Sequence, residues 1–315
     1  MIDFSSFITE ALQLLILLLA APAFTGWVKT VKCRMQGRTY AGIFQPYRDL
    51  AKLFSKEVIL AENASWIFRF TPYIVFGVTV LIGGIIPLIS IDLPFADTAD
   101  VIALVMLFAI IRFFTALAGM DIGTAFGGMG SSREMTIASL AEPAMLMAVF
   151  TVSLGANSTS LTHMVQVMAH GQFILRPSLA FALLAFIMVH LTETGRVPVD
   201  NPSTHLELTM IHEAMILEYS GRHLALIEWA GMMKLFIYSA LGIAIFCPWG
   251  IAATDDPAAM LAGGVFLLCK LAVGGVILIL IETGLAKVRL FRLTEYLGSA
   301  FLLATLGMLS FFILE

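Results

Sequence analysis

The 315-residue chain has little charge: Asp, Glu, Lys and Arg together make up 13% of it, against roughly 25% in a soluble domain. It is also poor in cysteine. Cys33, Cys247 and Cys269 are far apart and form no CxxC pair, which argues against a zinc or iron–sulfur site held by this chain alone. There is no GKS or GKT phosphate loop, no GxSxG elbow and no Rossmann glycine pattern; nucleotide and serine-hydrolase chemistry therefore have no anchor in the sequence. His212–Glu213 is half of a zinc-protease helix, but Ile216 stands where the second histidine is required. His205 and His212, seven apart, share a helix face; satisfied or solvated histidines are the plainer reading.

What the chain has is apolar length. It is 59% hydrophobic, with a mean hydropathy of +0.94. Apolar windows recur near 7–27, 71–91, 101–119, 137–155, 177–194, 229–247, 259–281 and 295–314. Each is close to the roughly 20 residues that cross a bilayer as a helix. The windows are continuous and do not alternate, which disfavours a β-barrel. The expected fold is an all-α polytopic membrane protein of about eight spans, forming one domain over 1–315 with no long polar linker. The first window has no basic start and no small-residue cleavage site, so it reads as a retained helix. In the fourth, Pro143 follows Glu142 and removes a backbone donor.

Basic residues set the expected orientation. They gather in a first loop, 28–70, in a second, 120–136, in a third, 193–228, and around Lys287, Arg289 and Arg292. The opposite connectors carry only Arg176. The positive-inside rule puts the basic loops in the cytoplasm and both termini outside.

The first loop mixes Arg38, Gln45, Asp49 and Lys52 with aromatic and apolar residues. Leu50, Leu53 and Phe54 recur at helical spacing, as an interfacial helix would require. Nucleic-acid binding would account for the charge but not for so short a helix-linked segment; a surface for lipid or a protein partner fits better. The second loop holds Gly119, Gly123, Gly127, Gly128 and Gly130, then Ser132, Arg133 and Glu134. It reads either as a structural turn or as the wall of a cavity or subunit contact.

The third loop is the densest polar segment, with Glu193, Arg196, Asp200, Glu207, Glu213, Glu218 and Arg222 between apolar runs. Glu142, Lys270 and Glu282 lie in or at the end of spans. Ionisable groups at such depth are costly and mark ion paths or buried pairs. A chain of carboxylates there is a candidate proton relay. The bland alternatives are local: Glu142 paired with Arg112 of the third span, Glu193 with Arg196 at i,i+3, and Glu207 and Glu213 facing water or a partner.

These residues resemble subunit 1 of respiratory complex I and its homologues in membrane-bound group 4 nickel–iron hydrogenases. The first loop carries the resemblance through Gly37, Gly42, Gln45-Pro46, Asp49, Lys52-Leu53 and Lys56-Glu57. The second carries it through Gly130-Ser131 and Arg133-Glu134, and the third through Glu193-Thr194, Arg196, Pro198, Asp200, Pro202, Glu207-Leu208 and Glu218-Tyr219-Ser220-Gly221. The resemblance spans nearly the whole chain. It implies a membrane subunit that contacts a hydrophilic redox arm, with the first and third loops lining a quinone cavity or its remnant. The acidic residues would begin a proton route towards antiporter-like subunits, and Arg38 and Lys52 would lie near the cavity mouth.

The departures shift the expectation within that family. Where complex I proteins usually carry an acid-rich stretch, this chain has PSTHLEL, which leaves Glu207 alone. The first-loop arginine pair is replaced by Gly37-Arg38-Thr39, and the terminal KVRLFRLTEYLG lacks an aromatic–lysine ending. The pattern is similar to the hydrogenase-type branch. Its implied partners are hydrogenase-like large and small subunits, an iron–sulfur subunit, antiporter-like membrane subunits and lipid in a prokaryotic inner membrane. Nickel–iron and iron–sulfur centres would then sit in partners, with quinone binding left open. A quinone-site subunit and, more remotely, a stand-alone transporter are the other readings; no inverted repeat supports the latter.

Overall fold

The computed structural model describes residues 4–40, 42–88, 99–170, 176–197, 210–251, 257–284 and 292–314. Among these, eleven helices are present and no strand; Asp100 and Ser160 form an isolated bridge. The helices are α1 (Phe4–Met35), α2 (Gln45–Phe54), α3 (Trp66–Ile85), α4 (Val101–Asp121), α5 (Ala125–Ala156), α6 (Leu161–His170) and α7 (Pro177–Glu193), then α8 (His212–Ile216), α9 (Gly221–Phe246), α10 (Pro257–Gly284) and α11 (Leu293–Leu314). Seven are long and apolar enough to cross a membrane, and α7 is a shorter apolar helix. Together they correspond to the eight apolar windows of the sequence.

Span ends differ from the hydropathy windows. α5 starts at Ala125, so the supposed second loop of 120–136 shrinks to a turn at 122–124. Thr124 caps the helix by accepting from Gly127 N, and Gly123 takes the turn at φ +74°, where a side chain would be strained. Pro143 lies inside α5 without ending it. α9 likewise starts at Gly221, inside the supposed third loop. In both helices the first turns are polar, which lowers hydropathy, yet neighbouring protein supports the helix beyond the apolar stretch.

Packing fits alternating spans. On one side, Lys32 near the end of α1, Glu282 near the end of α10 and Arg196 just after α7 meet in one cluster. These are the C-terminal ends of the first, fifth and seventh spans, so those helices run in the same direction. On the other side, buried Gln13 of α1 donates to Gly83 O at 3.1 Å and Ile86 O at 2.8 Å, and accepts from Leu88 N. It thereby satisfies the orphan carbonyls at the end of α3. There too, Leu161 N donates to Ala99 O at 2.7 Å, and Thr159 Oγ1 donates to Asp100 at 2.8 Å, joining α4 to the α5–α6 turn.

The main core holds the fully buried aromatics Tyr238, Phe108 and Phe236, and Phe68 is fully buried in a smaller cluster with Ile216 and Tyr219. α10 and α11 expose Val265, Phe266, Leu268, Leu302, Phe312 and Ile313, as spans facing lipid would. α2 is amphipathic as expected. Leu50 is buried, Leu53 packs on the core, and Asp49 and Lys52 are exposed. Phe54 meets Trp229 edge-on at 6.2 Å, and the Tyr47 hydroxyl donates to Leu19 O.

Candidate functional site

Arg112, just past the middle of α4, organises the interior. Its side chain is 6% exposed. One terminal nitrogen bonds Glu193 at the end of α7; the other meets Glu142 of α5 at 3.0 Å. A planar guanidinium can hold two carboxylates in a fixed fork, which a lysine cannot. The second Glu193 oxygen accepts from Lys234 Nζ of α9 at 2.9 Å. Four helices are thus tied by two cations and two carboxylates, formally neutral as a set. Removing water from these charges is costly, and each pairing offsets part of that cost.

The predicted Arg112–Glu142 pairing is present. The Glu193–Arg196 pair is not: Arg196 turns to Glu282, at 3.1 Å. Glu282 also accepts from Lys32, forming the second cluster. The reason is chain direction. α7 ends at Glu193, and Gly195, at φ +62°, turns the backbone, so the i,i+3 proximity of a continuing helix is lost.

A cavity of about 230 Å³ adjoins both clusters. Its wall includes Lys29 of α1, Arg112, Glu134 of α5, Glu193, Arg196, Glu213 of α8, and Glu228 and Lys234 of α9. The expected loop residues divide around it. Glu134 and Glu213 reach the wall; Arg133 instead donates to Met210 O at 2.9 Å, holding the chain ahead of α8 against α5. Gly130 allows that approach, since an added Cβ would lie 2.8 Å from Ile211 O. The second loop is therefore both turn and cavity wall.

Gln45 donates to Asp49 at 2.8 Å on the exposed side of α2, and Arg38 and Lys52 are exposed. These four stand on the surface rather than in the cavity. Glu218 is exposed and is not among the wall residues. Lys270 lies apart from both clusters. It donates to Cys247 O at 2.6 Å and to Trp249 O, at and just beyond the end of α9, so its partners are backbone carbonyls rather than a carboxylate. Asp200, Glu207 and His205 lie outside the described residues.

The EYSG segment is a clamp. Tyr219 stacks on Phe68 at 3.9 Å, and its hydroxyl donates to Phe68 O at 3.0 Å. Burial pushes that hydroxyl above the ordinary tyrosine range, so it remains a donor. Ser220 Oγ accepts from Ile59 N at 2.8 Å and donates to Ile59 O at 2.9 Å. Gly221, at φ +52°, sits where a Cβ would come 2.8 Å from Lys56 O. The motif fixes the first loop to the start of α9.

Sequence reasoning missed Lys234 as the partner of Glu193, and Glu228 as a wall residue. The available signal was an ionisable residue on an apolar helix. Starting that span near 229 rather than at Gly221 left Glu228 in a loop. Among the described residues, no group of three or more His, Cys, Asp or Glu is placed to hold a metal.

Comparison with known proteins agrees with this architecture. The model of the NADH dehydrogenase family matches residues 9–313. Hydrogenase-4 component C of Escherichia coli K12 is 33% identical over 295 residues, covering 94% of this chain and 92% of that one. Formate hydrogenlyase subunit 4 of the same organism is 31% identical over 279 residues, covering 89% and 90%. A chain of the membrane-bound sulfane sulfur reductase, an archaeal respiratory membrane complex, superposes with a TM-score of 0.82 at 20% identity, covering 96% and 98%; at that identity it speaks for the fold. The protein is a multi-pass subunit of the prokaryotic inner membrane. The chain belongs to the NADH dehydrogenase family and, within it, matches the hydrogenase-4 component C and formate hydrogenlyase subunit 4 type of membrane subunit over nearly its full length.

Proposed function

We propose that this chain anchors a soluble redox arm to the membrane and couples its reaction to proton movement, as the membrane subunit of a complex I-like, hydrogenase-type assembly. The observation that carries the reading is the Arg112–Glu193–Lys234 network, buried against a cavity whose wall also holds Glu134, Glu213 and Glu228. Carboxylates so placed can take up or release a proton when a nearby charge changes. The coupling is reciprocal: proton occupancy of the network must bias the state of the redox arm as well.

The exposed side of α2, with Arg38 just ahead of it, is the proposed docking face, carrying Gln45, Asp49 and Lys52. The first loop beneath it is held by the Tyr219–Gly221 clamp. Electron transfer belongs to partner subunits with iron–sulfur clusters and a nickel–iron centre. Hydrogenase-like large and small subunits, an iron–sulfur subunit and antiporter-like membrane subunits complete the assembly. Glu142, Glu193, Arg196, Asp200, Glu207 and Glu282 are proposed as the coupling groups of this chain.

The test is purification through this subunit in mild detergent, with subunit identification and metal and quinone analysis. Nickel, iron and hydrogenase-like partners are the expected result. Iron with stoichiometric quinone and no nickel would replace this reading with a quinone-site subunit. A chain that purifies alone and transports ions alone would overturn both.

A further inference from the structure

α1 carries Pro22 inside its span. Proline has no N–H, so the Leu18 carbonyl one turn earlier loses its helical donor. Trp229 of α9 supplies one instead, its Nε1 donating to Leu18 O at 3.2 Å. The next carbonyl, Leu19 O, accepts from the Tyr47 hydroxyl of α2. α2 and α9 are thus both seated on one turn of α1.

α2 divides into three strips at 3.6 residues per turn. Pro46, Leu50 and Leu53 face the bundle. Gln45, Asp49 and Lys52 form the side assigned above to a redox arm. The third strip, Phe44, Tyr47, Ala51 and Phe54, is apolar and recurs at i, i+3, i+7 and i+10. Phe44 is 68% exposed, and its ring lies 6.1 Å from that of Tyr47. Ala51 and Phe54 are exposed as well. Arg48, four residues after Phe44 and three before Ala51, borders this strip and is exposed.

The strip meets a second one on α1. Leu12, Leu15 and Leu19 recur at i, i+3 and i+7, and all three are exposed; Tyr47 reaches α1 at Leu19. The two strips form one apolar surface that starts beside Arg48 and runs about 10 Å along α1. A soluble partner cannot follow it into the span, and an apolar helix of a neighbouring subunit brings no counter-charge to Arg48. The occupant that fits is apolar along α1 and anionic beside Arg48. The surrounding charge has the matching sign: residues 28–70 hold eight Lys or Arg against three Asp or Glu, and basic residues beside a span draw anionic headgroups.

We propose that an anionic phospholipid of the cytoplasmic leaflet occupies this surface, with its phosphate on Arg48 and an acyl chain along Leu19, Leu15 and Leu12. A guanidinium fork suits phosphate oxygens, and the rings of Phe44 and Tyr47 lie where headgroup and chain meet, a place aromatic residues favour. The proposal does not depend on proton coupling.

The test uses the protein purified in mild detergent with the partners it retains. It is given phosphatidylglycerol or phosphatidylcholine carrying a photoreactive group in the acyl chain, and labelled peptides of this chain are identified by mass spectrometry. Phosphatidylglycerol is expected to label both 12–19 and 44–54, and phosphatidylcholine to label them weakly. R48Q is expected to lower labelling by phosphatidylglycerol about 5-fold, the effect of one cation near an anionic headgroup, and R48K to retain it. R69Q, at an exposed arginine of α3 outside the strip, should match the unaltered protein. Equal labelling by the two lipids, or R48Q labelled as strongly as the unaltered protein, would overturn the proposal. Displacement of the probe by an equal concentration of decylubiquinone would assign the surface to a quinone and overturn it too.

Discussion

E193Q is expected to abolish redox-linked proton movement and to weaken the membrane domain at the same time. Glu193 is 2% exposed, and each of its oxygens holds a cation. Removing its charge leaves Arg112 and Lys234 opposed only by Glu142, so the set moves from formally neutral to +1. Breaking a buried pair by deleting one partner costs about 3–5 kcal/mol, because the remaining charge stays desolvated. The proton-transfer loss is expected to reach about 100-fold.

The two effects separate in the double variant E193Q/K234M, which restores formal neutrality. Thermal stability of the purified assembly is expected to return towards that of the unaltered protein, while proton movement stays lost. If E193Q/K234M regained proton movement as well, Glu193 would be a structural tie and not a proton carrier.

G221A is expected to give the largest loss of stability at a position without charge. The added methyl would meet Lys56 O and Glu57 C, each at 2.8 Å, in a backbone at φ +52°. Left-handed strain and overpacking together cost about 2–5 kcal/mol. The clamp at Phe68 and Ile59 would open with it, so the 55–65 segment is expected to become accessible to protease in the purified assembly. Gly77 of α3 is the control: nothing lies within 4 Å of its added Cβ, and G77A should match or exceed the unaltered protein because alanine favours the helix. Equal melting of G221A and G77A would contradict the clamp.

The span count was legible because backbone groups in lipid must be satisfied internally, and only apolar runs of that length allow it. The ends were not. Ser132, Arg133 and Glu134 lower the hydropathy of the first turns of α5, and Arg222 and Glu228 do the same for α9, yet both stretches are helical. Hydropathy measures what lipid tolerates, whereas the start of α5 is supported by α8 and the start of α9 by the first loop.

The ionisable residues of the site were legible by type, and Arg112 was legible as one candidate partner for Glu142. The partners of Glu193 were not, because pairing across α4, α7 and α9 depends on rotation and depth that no single helix records. Lys270 shows the same limit from the other direction. Its place within an apolar run suggested a relay, while the contacts it makes, at Cys247 and Trp249, are with backbone carbonyls. The EYSG residues marked a family, and the geometry gives them a mechanical task.

The most direct test of the coupling account is redox-driven proton movement by the complete assembly in sealed liposomes. Electron transfer from the donor to the acceptor is predicted to carry protons across the membrane in fixed ratio, with the gradient collapsing on addition of an uncoupler while electron flow continues. Full electron transfer with no proton movement, in tightly sealed vesicles, would contradict it.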